Sequence, residues 1–263
     1  MSFKNKTAWV IGASSGIGEE LVKQLAKAGA RVILSARNVD SLNKVKSNLS
    51  HPENHIVYPL DLEKSGNKIV EITKQLESFG EIHFLFNNGG LSQRSDAFNT
   101  EITVDKKIME INYFGNISLT KAILPIFRKQ GNGHILVVSS IAGKFGFYLR
   151  SAYSASKHAL HGFYESLRLE EEKNNIHVTI VCPGKINTPI STNALTGKGD
   201  AHGVMDHNQE TGMPVEVCVK RILRAVEKNK FEVLIGGKET FAVRIKRLSF
   251  SLFFKIIKRQ NAT

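Results

Sequence analysis

The chain alternates short, continuously apolar runs with amphipathic stretches along most of its length, and no other feature constrains its fold as tightly. The runs Val32-Ile33-Leu34, Phe84-Leu85-Phe86, Ile135-Leu136-Val137-Val138 and Val178-Thr179-Ile180-Val181 show no in–out periodicity. A strand with one wet face alternates apolar and polar residues, whereas a strand covered on both faces need not. These runs therefore fit the interior of a parallel sheet. Strands are expected over residues 7–11, 31–35, 55–59, 83–86, 134–139, 177–182 and 232–235. Helices are expected over 16–27, 39–49, 65–79, 106–130, 151–173 and 214–228. Such alternation predicts an α/β fold: one doubly wound parallel sheet of about seven strands in a single domain. Ligands of such sheets bind beyond the C-terminal ends of the strands, so the loops there are the places to look for chemistry.

The first of those loops is rich in glycine. Residues 11–18 read I-G-A-S-S-G-I-G, between the first strand and its helix. Gly12, Gly16 and Gly18 allow a tight turn and close approach to a pyrophosphate, with Ser14, Ser15 and Ile17 beside them. The helix N-terminus adds unpaired N–H groups for the anion. The spacing is G-x-x-x-G-x-G rather than G-x-G-x-x-G, so a plain glycine-rich turn stays open as a reading. The same letters satisfy G-x-S-x-G, the nucleophile elbow of serine hydrolases, with Ser14 as the nucleophile. That elbow normally follows several strands, and here it follows the first. At the end of the second strand, Leu34-Ser35-Ala36-Arg37 offers no carboxylate to a ribose hydroxyl, and the Arg37 fork suits a phosphate. The reading is a Rossmann-type domain holding NADP(H), with a surface arginine as the alternative.

Residues 153–157 read Y-S-A-S-K, which places Tyr153 and Lys157 on one helix face, just over a turn apart. A free phenol titrates near about 10, and a neighbouring cation favours its ionised form. Such a pair can exchange a proton with a carbonyl or alcohol oxygen, although a surface pair would be spelled the same way. Around it stand Asn87-Asn88-Gly89-Gly90 after the fourth strand, Ser139-Ser140 after the fifth and Pro183-Gly184 after the sixth. This ordered set resembles the short-chain dehydrogenase/reductase family, over residues 6–237.

The resemblance implies roles residue by residue. Gly12, Gly16 and Gly18 match the cofactor loop, and Asp61 and Leu62 match positions beside the adenine. Asn87 matches the residue that steadies the central strand near the cofactor. Asn112 matches a helix asparagine that anchors a water relay. Ser140, thirteen residues before Tyr153, matches the catalytic serine. Lys157 is expected to lower the phenol pKa and bind the nicotinamide ribose. Pro183, Gly184 and Ile186 fall in the segment that packs on the nicotinamide, with Thr188 reaching its carboxamide. Ile11 and Gly89 depart from the family's usual Thr and Ala, and the lost hydroxyl is worth about 1 kcal/mol.

Substrate contacts are expected from Phe147 and its neighbours Phe145 and Tyr148, and from a polar loop over 187–212 that would act as a lid. His158 and His161 are expected at the surface, and Glu170-Glu171-Glu172 on a solvated helix face. Formal net charge is +12, and residues 238–259 supply seven Lys/Arg against one Glu, so half of the excess lies in the tail. That tail, 238–263, follows the catalytic domain, 1–237. It reads as an amphipathic helix with Phe241, Ile245, Leu248, Leu252 and Ile256 on one face, fit for an anionic membrane surface or a partner subunit. A basic tail without interleaved aromatics in a groove does not argue for nucleic acid. Two cysteines without a CxxC or a Cys/His cluster fit a reducing compartment and no metal. With no secretory leader pattern or run long enough to span, a cytoplasmic protein, at most peripheral at a membrane, is expected.

The resemblance thus implies an NADP(H)-dependent oxidoreductase acting on a small-molecule carbonyl or secondary alcohol, with the tail favouring a lipophilic one. It also implies a homodimer or homotetramer. The alternatives are a cofactor-binding regulatory protein without turnover, and an esterase using Ser14.

Overall fold

A computed structural model describes residues 2–259. Residues 260–263 of the expected tail lie outside that range. Seven strands, β1 (Thr7–Ile11), β2 (Arg31–Ser35), β3 (Ile56–Val57), β4 (Phe84–Asn87), β5 (Gly133–Val138), β6 (Ile176–Pro183) and β7 (Glu232–Ile235), form one sheet. Its order is β3-β2-β1-β4-β5-β6-β7, and every neighbouring pair is parallel.

Helices α1 (Gly16–Lys27), α2 (Val39–Ser47), α3 (Ile69–Ser78), α4 (Ile102–Met109), α5 (Asn116–Gln130) and α6 (Ser151–Glu171) connect the first six strands. The short α7 (His207–Glu210), then α8 (Val215–Glu227), lead to β7, and α9 (Phe241–Leu248) and α10 (Phe250–Ile257) follow it. The continuous apolar runs are explained by two cores. Val10, Leu34, Phe84 and Phe86 pack with α1, α2 and α8, while Trp9, Ile33, Leu85 and Val137 pack with α3, α5 and α6. Successive side chains point to opposite faces, and both faces are dry.

Three elements differ from expectation. The third strand, at the edge of the sheet, pairs in regular register over two residues only, Ile56 and Val57. Tyr58 N and Leu60 N still donate to Leu34 O and Ala36 O, at 2.9 and 3.1 Å. Helix α3 begins only at Ile69, since Gly66 and Asn67 are poor helix formers and the chain takes a 3-10 path over Leu62–Lys68. The helix expected over 106–130 starts earlier, at Ile102, and winds as a π-turn over Glu110–Gly115. There the Asn116 amide donates to Ile111 O (3.3 Å), Asn112 O (2.9 Å) and Gly89 O (3.2 Å), fixing the loosened carbonyls.

The tail is not one helix. Ser249 is extended and its hydroxyl accepts from Leu252 N at 3.3 Å, capping α10 and turning it out of phase with α9. The face that packs inward is therefore Val243, Phe253 and Ile257, against Phe145. Phe241, Leu248 and Leu252, expected on the apolar face, are exposed.

Candidate active site

Strand growth reverses between β1 and β4, where Ile11 and Asn87 are register partners, so the loops after them diverge and leave a crevice. A cavity of about 560 Å³ follows it, lined by Gly12, Ser14, Ser15, Gly16 and Ile17, by Arg37, and by Asp61 and Leu62. A second cavity, of about 420 Å³, is lined by Ser140, Phe147, Tyr153, Lys157, Pro183, Gly184, Ile186 and Thr188. Ile17, Asn88, Gly90, Thr188 and Ile190 line both, so the two form one elongated cleft.

Three expected residues act from behind the walls. A Cβ on Gly18 would overlap the Gly12 carbonyl oxygen, so glycine is needed there for the loop to fold onto α1. Asn87 points away from the cleft and donates to Thr120 Oγ1 (3.0 Å) and Tyr164 Oη (2.9 Å), tying β4 to α5 and α6. Its neighbour Asn88, on the opposite side of the strand, is the one on the wall. Asn112 clamps the loop after β4: its Oδ1 accepts from Leu91 N at 2.7 Å, and its Nδ2 donates to Leu91 O and Ser156 Oγ.

At the deep end, Ser140 ends the loop after β5 and its hydroxyl accepts from Ala142 N at 3.1 Å, which fixes the side chain. The Tyr153 phenol, which lines the cavity with Ser140, is buried. Burial pushes it above its ordinary value, against the opposing influence of Ser140, Arg150 and Arg94. The expectation of a lowered phenol pKa is thus overturned for the protein alone, because desolvation outweighs the cations. Lys157 Nζ lies 5.8 Å from the Tyr153 ring centroid and donates to Val138 O at 2.8 Å. Burial pushes Lys157 down to about 8. At neutral pH the site presents a protonated phenol beside a hydroxyl and an ammonium, a set able to donate a proton to a carbonyl oxygen.

His161, expected at the surface, lies buried one helical turn beyond Lys157, while His158 is exposed as expected. The Ser139 hydroxyl donates to Lys157 O at 3.2 Å, so His161 Nε2–H donates to Ser139 Oγ (3.0 Å) and Nδ1 accepts from Lys144 Nζ (3.0 Å). Burial and the Lys144 ammonium push His161 down to about 4. Lys144 also pairs with Glu232, so its ammonium bridges the two groups that stand with Cys182 in a metal-like cluster. Glu171 is likewise buried rather than solvated, held by Arg128 across the α5–α6 packing (Nε–Oε2 3.0 Å).

The outer wall was partly legible. Phe145 and Phe147 line the second cavity as expected, and Tyr148 is half exposed. Phe241, Ala242, Ile245, Ile256 and Ile257 close that cavity from the tail. The loop over 187–212 is pinned at Asp206, which accepts from Arg94 Nε (2.8 Å) and Arg150 Nη2 (3.2 Å). Arg94 is not singled out by the sequence, and Arg150 and Asp206 enter there only as parts of the two segments expected to shape the site.

The family model described as short chain dehydrogenase matches residues 6–199. A Drosophila melanogaster protein called dehydrogenase/reductase SDR family protein 7-like is 40% identical over 97% of this chain and 80% of its own length. A Mus musculus protein, dehydrogenase/reductase SDR family member 7B, is also 40% identical, again over 97% of this chain and 80% of its own. This chain belongs to the short-chain dehydrogenase/reductase family. A short-chain dehydrogenase from Streptomyces avermitilis superposes with a TM-score of 0.82 at 27% identity, covering 99% of this chain and all of that one. One from Burkholderia cenocepacia, solved with NADP, gives 0.81 at 23% identity, covering 98% of this chain and 99% of that one, a likeness of fold.

Within the family frame, the two departures from its usual residues turn out to be neighbours. A Cβ on Gly89 would meet Leu62 Cδ1 at 2.5 Å and Ile11 Cγ2 at 3.1 Å. The tighter of the two contacts is with Leu62, so the missing Cβ of Gly89 makes room first for that side chain.

Proposed function

We propose that this oxidoreductase uses NADP(H) to interconvert a lipophilic carbonyl compound and its secondary alcohol. One observation carries the reading: a single cleft runs from Arg37, past the glycine loop, to Ser140, Tyr153 and Lys157. Its residues fit the dinucleotide. Ser15, the N-cap of α1, makes no side-chain cap, which leaves the first helical N–H groups for a pyrophosphate. Arg37 is exposed, and no carboxylate pairs with it among the described residues, so its fork is available to a ribose phosphate. Asp61 and Leu62 would flank the adenine, and Thr188, lining both cavities, would reach the carboxamide.

The bound dinucleotide supplies the hydride. During reduction Tyr153 Oη–H gives its proton to the carbonyl oxygen, and the Ser140 hydroxyl donates to the same oxygen as negative charge develops. Lys157 holds a positive charge beside the phenolate so formed and binds the nicotinamide ribose. Asn112 keeps the loop after β4 in place behind it. Burial holds the phenol in its acid form, the form that protonates a carbonyl oxygen.

Titration of the purified protein with NADPH and NADH, followed by nicotinamide fluorescence, tests the cofactor. NADPH is expected to bind at least tenfold more tightly. Equal or tighter binding of NADH overturns the choice, and binding of neither overturns the redox reading. Hydrolysis at Ser14 has less support, because no histidine or carboxylate hydrogen-bonds to Ser14 among the described residues. A regulatory protein without turnover would have no use for the Ser140–Tyr153–Lys157 set.

The outer face of the tail exposes Leu248, Phe250, Leu252 and Phe254, and the tail carries Arg244, Arg247, Lys255 and Lys258. We place it against an anionic membrane surface, as a peripheral contact; no helix of the described residues is long and apolar enough to cross a membrane. Sedimentation with phosphatidylserine vesicles is expected to fall at least fivefold on replacing Leu248, Phe250 and Leu252 by Ser together. Unchanged sedimentation removes the membrane contact, and equal binding to neutral vesicles removes its preference for an anionic surface. A homodimer or homotetramer is the assembly that family resemblance suggests.

A further inference from the structure

Residues 238–259 carry seven Lys/Arg and one acid, Glu239, yet among the described residues that carboxylate pairs with none of the cations. Glu239 Oε1 instead accepts from Lys185 N at 2.9 Å and from Gly237 N at 3.0 Å. Two glycines make room for it: a Cβ on Gly184 or on Gly236 would overlap the same oxygen. An exposed ion pair would add little here, whereas a carboxylate that accepts backbone N–H groups makes charge-assisted bonds. Glu239 is half-buried and lines the second cavity with Gly184, Lys185 and Tyr153. It sits in the 3-10 turn Lys238–Thr240, ahead of α9, so its hold on Lys185 does not depend on how α9 and α10 dock.

Lys185 stands in the middle of the segment 183–188, whose Thr188 lines both cavities. Other bonds fasten that segment around it. Gly184 N donates to Ile235 O (2.8 Å), Met213 N to Lys185 O (2.8 Å) and Asn187 N to Met213 O (3.0 Å). The Ser140 hydroxyl reaches Pro183 O at 3.4 Å, so the segment also touches the reacting end. Lys185 N has no acceptor but Glu239 among the described residues. Removing the carboxylate therefore leaves a part-buried N–H unpaired and one anchor of the segment lost.

We propose that Glu239 is a positioning residue: by holding Lys185 N it sets the segment that receives the nicotinamide. The first turn of the tail then belongs to the dinucleotide site, while its helices wall the apolar end. This deepens the reading above and rests on it for the identity of the ligand. The competing role is local: Glu239 would only cap the Gly236–Gly237 turn through Gly237 N, with no bearing on what the cleft binds.

Fluorescence titration with NADPH, beside calorimetric titration with 2′,5′-ADP, separates the two, because the fragment carries adenosine and phosphates but no nicotinamide. NADH and ADP take their places if NADH is the dinucleotide bound. Glu239→Ala is expected to weaken NADPH at least fivefold and to lower the emission of the bound nicotinamide, with 2′,5′-ADP affinity changed less than twofold. Glu239→Gln keeps an acceptor for Lys185 N and should recover most of the NADPH affinity. Gly236 lines neither cavity, and Gly236→Ala evicts the same oxygen, so it should repeat the Glu239→Ala pattern. The double variant should then be no weaker than either single one. Unchanged NADPH affinity and emission in Glu239→Ala overturn the assignment and leave the turn cap. An equal loss for NADPH and 2′,5′-ADP overturns it too, since that marks a general defect of the fold. If the unaltered protein binds neither dinucleotide, the redox reading fails and the assignment falls with it; if it binds one and the variants bind it equally well, the assignment alone fails.

Discussion

Tyr153 has its phenol in a dry pocket, and that environment decides what it can do. Burial raises its pKa, so the proton needed for carbonyl reduction is in place at neutral pH. Removing it should be expensive: Tyr153→Phe is expected to lower kcat about a thousandfold, within the range for a lost general acid. NADPH affinity, read by fluorescence titration, is expected to change by less than about threefold, because the pocket keeps its shape. Turnover within tenfold of the unaltered enzyme would remove Tyr153 from the chemistry. The pairing of Tyr153 with Lys157 was legible because one helical turn joins them. The Arg94–Asp206 contact was not, since 112 residues separate its partners and nothing local marks either. His161 misled for a related reason: its helix face is settled by Lys144 and Ser139, which reach it from elsewhere in the chain.

At the scale of elements, the strands were legible from unbroken apolar runs, because a sheet covered on both faces leaves that imprint in sequence. The tail was legible in composition and not in phase. Its hydrophobic residues fit one continuous helix, and a single capping serine, Ser249, splits them into two helices that bury different faces. The consequence reaches the site, because α9 and α10 wall the second cavity. Phe253 packs 5.1 Å from the Phe145 ring and anchors that wall. Phe253→Ala should cost about 3 kcal/mol of docking, enough to free a two-helix segment. The expected result is a rise of about tenfold in KM for a long-chain ketone, with NADPH affinity unchanged and new tryptic cleavage within residues 238–259. Phe250→Ala, at a side chain exposed on the outer face, should do neither. An unaltered KM and digestion pattern in Phe253→Ala would show that the tail does not form the wall.

The molecule as a whole carries neutral histidines in its core, and they set how it responds to acid. His134 and His177 are register partners on β5 and β6. Thr179 Oγ1 donates to Lys230 O at 2.6 Å, so it must accept from His134 Nε2–H at 2.9 Å, which fixes the neutral tautomer. Burial, with the neighbouring His177, pushes His134 down to about 3, and His161 stands at about 4. The unfolded chain protonates both below about 6.5 while the folded chain does not, so the unfolded state binds more protons through that window. Stability therefore rises with pH from about 4 to 6.5 and is fully present above it. Acidification from pH 7 to 5 should cost about 2 kcal/mol for each histidine. General repulsion also grows in acid, because the chain already carries +12, and it would do so in any variant. His134→Gln keeps a donor to Thr179 and removes one titrating group, so it isolates the histidine share. Urea unfolding at pH 7 and pH 5 should show the loss smaller by about 2 kcal/mol in that variant. An equal loss in both proteins would mean that His134 takes up its proton without unfolding, and that the core beside β6 admits charge.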